Sequence, residues 1–506
     1  MTMKIYVYIL LLLFILLHLI LYTNIVPLYH EEPRRAIIAQ EMLLSNNFLK
    51  PTVLKETYLK KPPFHNWCIA LTSLKDKYIS NFEARLPSIL SYIVLSIILL
   101  LFFNIKNNGI EASTYILISV SFIFSYAIKA EPDMLFTTLL FISFLFYVKN
   151  NNFSCILISS LLMSLSILTK GISPIFFYPP ICIYYLFFEK DKINEFKKLL
   201  IHLSLSLILP IIWLLLLTFQ IDVMSIINTA YSEIFLRDSI NYNRYIGHLL
   251  TFPLRALMAT MPISLLLLFS PKKQNIIKDK LYILSFFLFL WIFILLWLYP
   301  SGKGRYFLPA IPFFCILASY HIDTQKLFNK TLKKALLIIF ALSLIIAIPF
   351  YLYHRFYIQG LIFLLTLMFI FYYYNKPALN ILMDTIILTS IYTVIFFHGP
   401  YFYKRVAYYN YEDQFNHIIE KINNATDPIY FDNSTKNDLK LAFFITRSTK
   451  KQLGILDGEV KNKYFLFTYK EYTNCSIIGH LNYRNYKNNS NNLIVYQCKL
   501  VNYNKH

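Results

Sequence analysis

Charge is scarce in this chain. Only 15% of its 506 residues are Asp, Glu, Lys or Arg, while 57% are hydrophobic. A soluble domain of that length cannot bury so much apolar surface, which excludes a purely aqueous fold. Acids are the scarcer sign, 27 against 48 Lys and Arg, for a net charge of +21. The excess does not indicate a nucleic-acid partner, because the basic residues are dispersed among hydrophobic blocks and form no basic domain. No Cys-x-x-Cys or His-x-x-x-His pair occurs at metal-ligand spacing, and no internal repeat is visible. A small-residue cleavage site is missing too: after the apolar run Tyr6 to Tyr22 comes Thr23-Asn24-Ile25-Val26-Pro27, so that run reads as a retained first span.

The apolar residues come in blocks of about 17 to 23, the length that crosses a hydrocarbon core roughly 30 Å thick as helix. Charge-free windows predict about thirteen spans. They lie near 5–23, 86–104, 113–128, 134–148, 153–169, 172–188, 199–220, 249–269, 281–299, 305–320, 335–353, 356–374 and 378–397. With the N-terminus inside, the even-numbered connections are cytoplasmic and should collect Lys and Arg. They carry Lys106, Lys149, the group Lys190 to Lys198, the group Lys272 to Lys280, the group Lys326 to Lys334, and Lys376. The fold expected is therefore an all-α polytopic membrane bundle over 1–399. The loops 24–85 and 221–248 lie outside, as do residues 400–506.

The outer segments differ in character from the Lys-only inner ones. Pro33 to Asn46 has Pro at a first helical turn, then Ala36, Ile37, Ala39, Met42 and Leu43 at helical spacing, which predicts an amphipathic helix lying on the membrane surface. After residue 400 strand-like runs at 429–431, 464–467 and 493–496 enclose a helix-like run at 437–446, so a small α/β domain is expected. Cys475 and Cys498 both fall there, where an oxidising compartment permits a disulfide. Cys155, Cys182 and Cys315 lie in or beside spans and read as packing residues.

Three outer groups have the makings of a site. The first is His30-Glu31-Glu32-Pro33-Arg34-Arg35 with Tyr58-Leu59-Lys60-Lys61-Pro62-Pro63; the plain alternative is a solvated loop with local ion pairs. The second is Lys129-Ala130-Glu131-Pro132-Asp133, at a membrane boundary where carboxylates are functional suspects; the alternative is that Asp133 caps the next span. Lys170-Gly171 is weaker, since a snorkelling lysine accounts for it. The third is Gly302-Lys303-Gly304-Arg305-Tyr306, where two cations and freed backbone suit a phosphate, or a lipid headgroup.

These strings, in this order, resemble the bacterial aminoarabinose lipid A transferases, which stand with the protein O-mannosyltransferases in the GT-C class of lipid-carrier glycosyltransferases. The resemblance runs from His30-Glu31-Glu32-Pro33-Arg34-Arg35-Ala36 through Lys61-Pro62-Pro63, Glu131-Pro132-Asp133 and Leu168-Thr169-Lys170-Gly171 to Gly302-Lys303-Gly304-Arg305-Tyr306-Phe307-Leu308-Pro309. Glu31 stands where the family usually has Asp, and Lys60 where it often has Glu, so that acid's role is not carried over. The resemblance implies transfer of a sugar from a polyprenyl phosphate, at the outer face of a bacterial plasma membrane, to a glycolipid or protein acceptor, with inversion. It implies Glu31 and Asp133 as the catalytic residues, Glu31 as the base, with Glu32 and Asp133 orienting acceptor or sugar. Arg34, Lys61, Lys170, Lys303, Arg305 and Tyr306 are then the substrate-binding residues, the cations meeting the phosphate. No cofactor is assigned; a divalent cation is left open, with His65, His248 and His398 as isolated outer histidines. A lipid or solute transporter is the rival from another class, but its ionisable groups would tend to sit near the midplane of paired repeats. A ligase or polymerase would concentrate its site in one late outer loop.

Overall fold

The computed structural model describes residues 23, 27–75, 77–104, 121–149, 152–235, 242–260, 264, 279–299, 304–321, 412–457, 460, 463–472, 475–484 and 490–498. The expected spans at 335–353, 356–374 and 378–397, the span at 5–23 apart from Thr23, and the site residue Lys303 lie outside the described residues.

The loop expected outside, residues 24–85, is built rather than open over its described part. His30 has a left-handed backbone (φ 56°), and behind it α1 (Glu32–Ser45) begins with Pro33 in its first turn and ends at a left-handed Asn46 (φ 53°). A hairpin follows, β1 (Thr52–Val53) with β2 (Glu56–Thr57), turning through Leu54 and Lys55 at φ 53° and 67°. Neither residue is a glycine, and two contacts hold the turn: Leu54 is buried, and the Lys55 amide donates to the Glu41 carboxylate at 3.2 Å. Then comes α2 (Phe64–Thr72).

The bundle consists of α3 (Asn81–Asn104), α4 (Ser121–Ala127), α5 (Pro132–Lys149), α6 (Phe153–Lys170), α7 (Tyr178–Phe188), α8 (Lys192–Leu217), α9 (Val223–Phe235), α10 (Tyr242–Ala259), α11 (Lys280–Leu298) and α12 (Ala310–His321). Among the described residues four helices are long and apolar enough to cross a membrane: Asn81–Leu99, Phe153–Lys170, Lys192–Leu217 and Lys280–Leu298. The faces of α8 turned outward are themselves apolar, with Leu200, Ile208, Ile211 and Leu215 exposed, as suits lipid and not water.

The two ends of the bundle have different chemistry. At one, Lys280 meets Glu189 at 2.6 Å and the Tyr320 hydroxyl donates to Asp279 at 2.6 Å, joining the lysine-rich turns. At the other, the starts of α5 and α12 and the end of α6 bring Glu131, Asp133, Lys170 and Arg305 together.

The C-terminal region has α13 (Glu412–Asn423), β3 (Ile429–Phe431), α14 (Leu439–Thr449), β4 (Leu453–Ile455), β5 (Tyr464–Thr468), β6 (Cys475–Arg484) and β7 (Ser490–Cys498). The sheet runs β4-β3-β5-β7-β6, parallel around β3 and antiparallel beyond β5. Cys475 and Cys498 lie opposite each other at the end of the β6–β7 pair and form a disulfide.

The structure corrects the expectation for α1. The helix expected on a membrane surface is enclosed by protein, with Glu32, Pro33 and Arg35 to Leu43 buried, because α2 packs on one side of it and α14 on another. Its apolar residues Ala36, Ile37, Ala39 and Leu43 share one core with Phe431, Phe443 and Phe467 of the C-terminal region. A surface helix and a helix under a distant lid carry the same local spacing, and only the long-range packing separates them.

Candidate active site

Three short segments meet at the carboxylate-bearing end of the bundle. From the first, Arg34 donates to Glu31 at 2.5 Å, the pair lying one helical turn apart at the head of α1. Arg34 and Arg35 both lie against the Tyr58 ring, 5.8 and 5.5 Å from its centroid, so β2's end fixes their position. From the second, Glu131 precedes Pro132 at the start of α5 and accepts from Arg305 at 2.8 Å. Arg305 belongs to the third, a 3₁₀ turn Gly304–Phe307 ahead of α12.

These pairs line a cleft of about 410 Å³. His30, Glu31, Arg34, Tyr126, Glu131, Gly304 and Arg305 line it from the loop and bundle, and Asn437 to Lys440 at the head of α14 form its other wall. The two glutamates titrate in opposite senses. Burial disfavours the charge on Glu31, but Arg34, Arg35 and Arg305 outweigh it and hold the carboxyl below its ordinary value. Glu131 is pushed up, by burial first and then by the neighbouring Asp133, although Lys129 and Arg305 oppose the shift. One carboxylate is thus kept ionised beside another that takes a proton more readily, in a cleft edged by two guanidinium groups. Such a set can accept a proton from a hydroxyl and neutralise a leaving anion. Among the described residues no group of three or more His, Cys, Asp or Glu is placed to hold a metal ion.

Residues 60–216 match the family described as Dolichyl-phosphate-mannose-protein mannosyltransferase. No curated protein matches the chain. Among solved structures, ArnT from Cupriavidus metallidurans in the apo state superposes with a TM-score of 0.70 at 13% identity, over 97% of each chain. ArnT from Cupriavidus metallidurans bound to undecaprenyl phosphate superposes with a TM-score of 0.72 at 14% identity, over 97% of this chain and 98% of that one. This chain has the ArnT fold. The GT-C resemblance drawn from the motifs agrees with it in fold, and with the family match in the 60–216 segment.

Within this ArnT-like fold the expected site residues separate into levels. Glu31, Arg34 and Arg305 line the cleft. Asp133 and Lys170 do not; they make a buried ion pair at 2.6 Å, with the Lys170 ammonium 4.6 Å from the Phe136 ring and 5.0 Å from the Tyr306 ring. Tyr306 also stands 5.7 Å from the Arg305 guanidinium, so it packs between both cations. Lys61 is half-buried, and its charge acts on Asp133.

Glu32 goes elsewhere. Its carboxylate is fully buried and accepts four bonds: Arg85 Nε at 2.8 Å, Arg85 Nη2 at 3.0 Å, the Ala130 amide at 2.8 Å and the Tyr29 amide at 3.1 Å. Both oxygens are occupied, which leaves no acceptor site for a substrate; Glu32 ties the first loop to α3 and to the 130 turn. The sequence reading also passed over residues that line the cleft: Glu131, quoted in its motif but assigned no role, His30, Tyr126, and the α14 head. Glu131 was recoverable from its place at a membrane boundary, whereas nothing local marks residues 437–440.

Proposed function

We propose that this chain is a membrane glycosyltransferase that moves a sugar from a polyprenyl phosphate to an acceptor on the outer face of a bacterial plasma membrane. The observation that carries this reading is the meeting of Glu31–Arg34 and Glu131–Arg305 in one cleft, at the bundle end away from the lysine-rich turns. The likeness to ArnT bound to undecaprenyl phosphate supports the donor class. In this reading the N-terminus is cytoplasmic, and the C-terminal α/β region, residues 400–506, stands outside over the bundle of 1–399.

The reaction is an in-line displacement at the anomeric carbon, with inversion. Glu31, kept ionised by its arginines, takes the acceptor proton. Arg34 and Arg305, with Lys61 and Lys303, receive the charge that builds on the departing phosphate. Asp133 acts from beneath, holding Lys170 and Tyr306 in place against Arg305. Where the acceptor is itself a phosphate no strong base is needed, and Glu31 positions the attacking oxygen. The test is mass spectrometry of envelope glycolipids and glycoproteins from cells with the gene, without it, and with Glu31→Gln. Loss of one sugar adduct in both altered strains supports the reading; identical profiles in all three refute it.

A further inference from the structure

The two glutamates that line the cleft are carried by separate segments, and the head of α3 holds both segments. Arg85 is fully buried in the second turn of α3. Its Nε and Nη2 donate to the two oxygens of Glu32 at 2.8 and 3.0 Å, and its Nη1 and Nη2 reach the Thr23 and Pro27 carbonyls, each at 3.1 Å. The same Glu32 carboxylate accepts the Ala130 amide at 2.8 Å, so one ion pair fastens the residue beside Glu31 to the residue beside Glu131. Ser88, one turn further along α3 and also fully buried, donates to the Glu131 carbonyl at 3.2 Å. At the next turn the Ser91 carbonyl accepts from the Thr138 hydroxyl at 3.0 Å, which fixes α5 to α3.

The residue types suit this task. A guanidinium is a planar fork of five donors, able to serve both oxygens of a carboxylate and two carbonyls at once, whereas an ammonium offers three donors from one point. Glu32 compensates the buried charge. The helix α2 hangs on the same head: Pro87 brings no amide to the α3 ladder, and the Glu83 carbonyl four residues earlier accepts from the Thr72 hydroxyl at 3.2 Å. Neither Arg85 nor Ser88 is among the residues that line the cleft.

We propose that Arg85 and Ser88 are positioning residues for sugar transfer: from the head of α3 they set the distance between Glu31 and Arg305 across the cleft. The inference rests on the glycosyl-transfer reading above. Misplacing a reacting group by about 1 Å costs on the order of 10²-fold in rate, so contacts that fix this distance act on turnover without touching substrate. The same distance can be read with no substrate present. Burial disfavours the charge on Glu31, and Arg305 is one of the three arginines that hold the carboxyl down against it. His30, Arg34 and Arg35 belong to Glu31's own segment and move with it. Tyr126, Glu131 and Arg305 face it from the bundle, and Asp438 and Lys440 from α14.

The test follows two quantities in Arg85→Lys and Ser88→Ala, neither of which changes the net charge. The first is the titration midpoint of Glu31, from infrared difference spectra of the full chain in lipid nanodiscs, with Glu31→Gln assigning the band. The second is the gene-dependent sugar adduct, from mass spectrometry of envelope glycolipids and glycoproteins. With Arg85→Lys we expect the midpoint to move to higher pH, as Arg305 and Glu31 separate, and the adduct to form about 10²-fold more slowly. Ser88→Ala should shift the midpoint less in the same direction and slow the adduct about tenfold, the equivalent of one hydrogen bond. Melting curves show which variants fold; where Arg85→Lys does not, Ser88→Ala decides. A merely structural role would lower the melting temperature and leave the midpoint in place. An unmoved midpoint in the folded variants, or a moved midpoint with undiminished adduct, overturns the inference and leaves glycosyl transfer standing. A wild-type gene whose deletion changes no adduct removes both.

Discussion

Arg305 donates to Glu131 across 2.8 Å, closing a contact between residues 174 positions apart. The bond fixes the 3₁₀ turn before α12 against the start of α5 and holds a guanidinium at the cleft. Arg305→Gln should therefore lower sugar transfer by about 10²–10³-fold, the usual loss when one preorganised donor to a developing anion is removed. Measured kcat should carry the loss. An unchanged kcat would place the leaving group elsewhere.

Glu31 is expected to act as a base, so Glu31→Gln should lower transfer by about 10²–10⁴-fold. Its pH dependence has a definite sign. A base works deprotonated, and the arginines keep this carboxyl below its ordinary 4.5, so the rate should hold as pH falls to about that value and fail only beneath it. Arg34→Gln removes a cause of the lowering, and the acid limb should move to higher pH. A limb that stays put in that variant would separate Glu31 from the proton transfer.

The pair Asp133–Lys170 is buried on both sides, at 2% and 7% side-chain exposure. Breaking such a pair strands one charge and costs about 3–5 kcal/mol, whereas removing both charges costs far less. Asp133→Asn and Lys170→Met should each lower the melting temperature in detergent, and the double variant should recover most of it. If instead the double variant melts lowest, the pair is not mutually compensating.

His65 contributes a second pH effect, this one on stability. Burial, then the charge of Arg35, pulls it from 6.5 down to about 3, and among the described residues neither ring nitrogen meets a hydrogen-bond partner. The folded chain therefore keeps it neutral while the unfolded chain protonates it below 6.5. Stability from this residue is intact above 6.5 and is lost progressively as pH falls toward 3, about 2 kcal/mol by pH 5. Melting curves at pH 7 and pH 5 should differ less in His65→Asn than in the wild type.

Membrane residence, and the apolar runs that fall among the described residues, were legible from the sequence pattern, because burial in lipid depends on the summed apolarity of each run and not on its neighbours. The three charged motifs were legible for a related reason: charge at the end of an apolar run stands out locally. The fate of each charge was not. Glu31 and Glu32 are adjacent in sequence, yet one faces the cleft and the other is locked by Arg85, 53 positions away, since neighbouring side chains on a helical turn diverge and the partner lies on another element. The same holds for α1, whose spacing was read correctly as helix while its cover, α14, lies some four hundred positions along the chain. Local pattern decides which segments are helical and which are apolar; which carboxylate meets which cation, and which wall Lys440 joins, is decided only when distant segments pack.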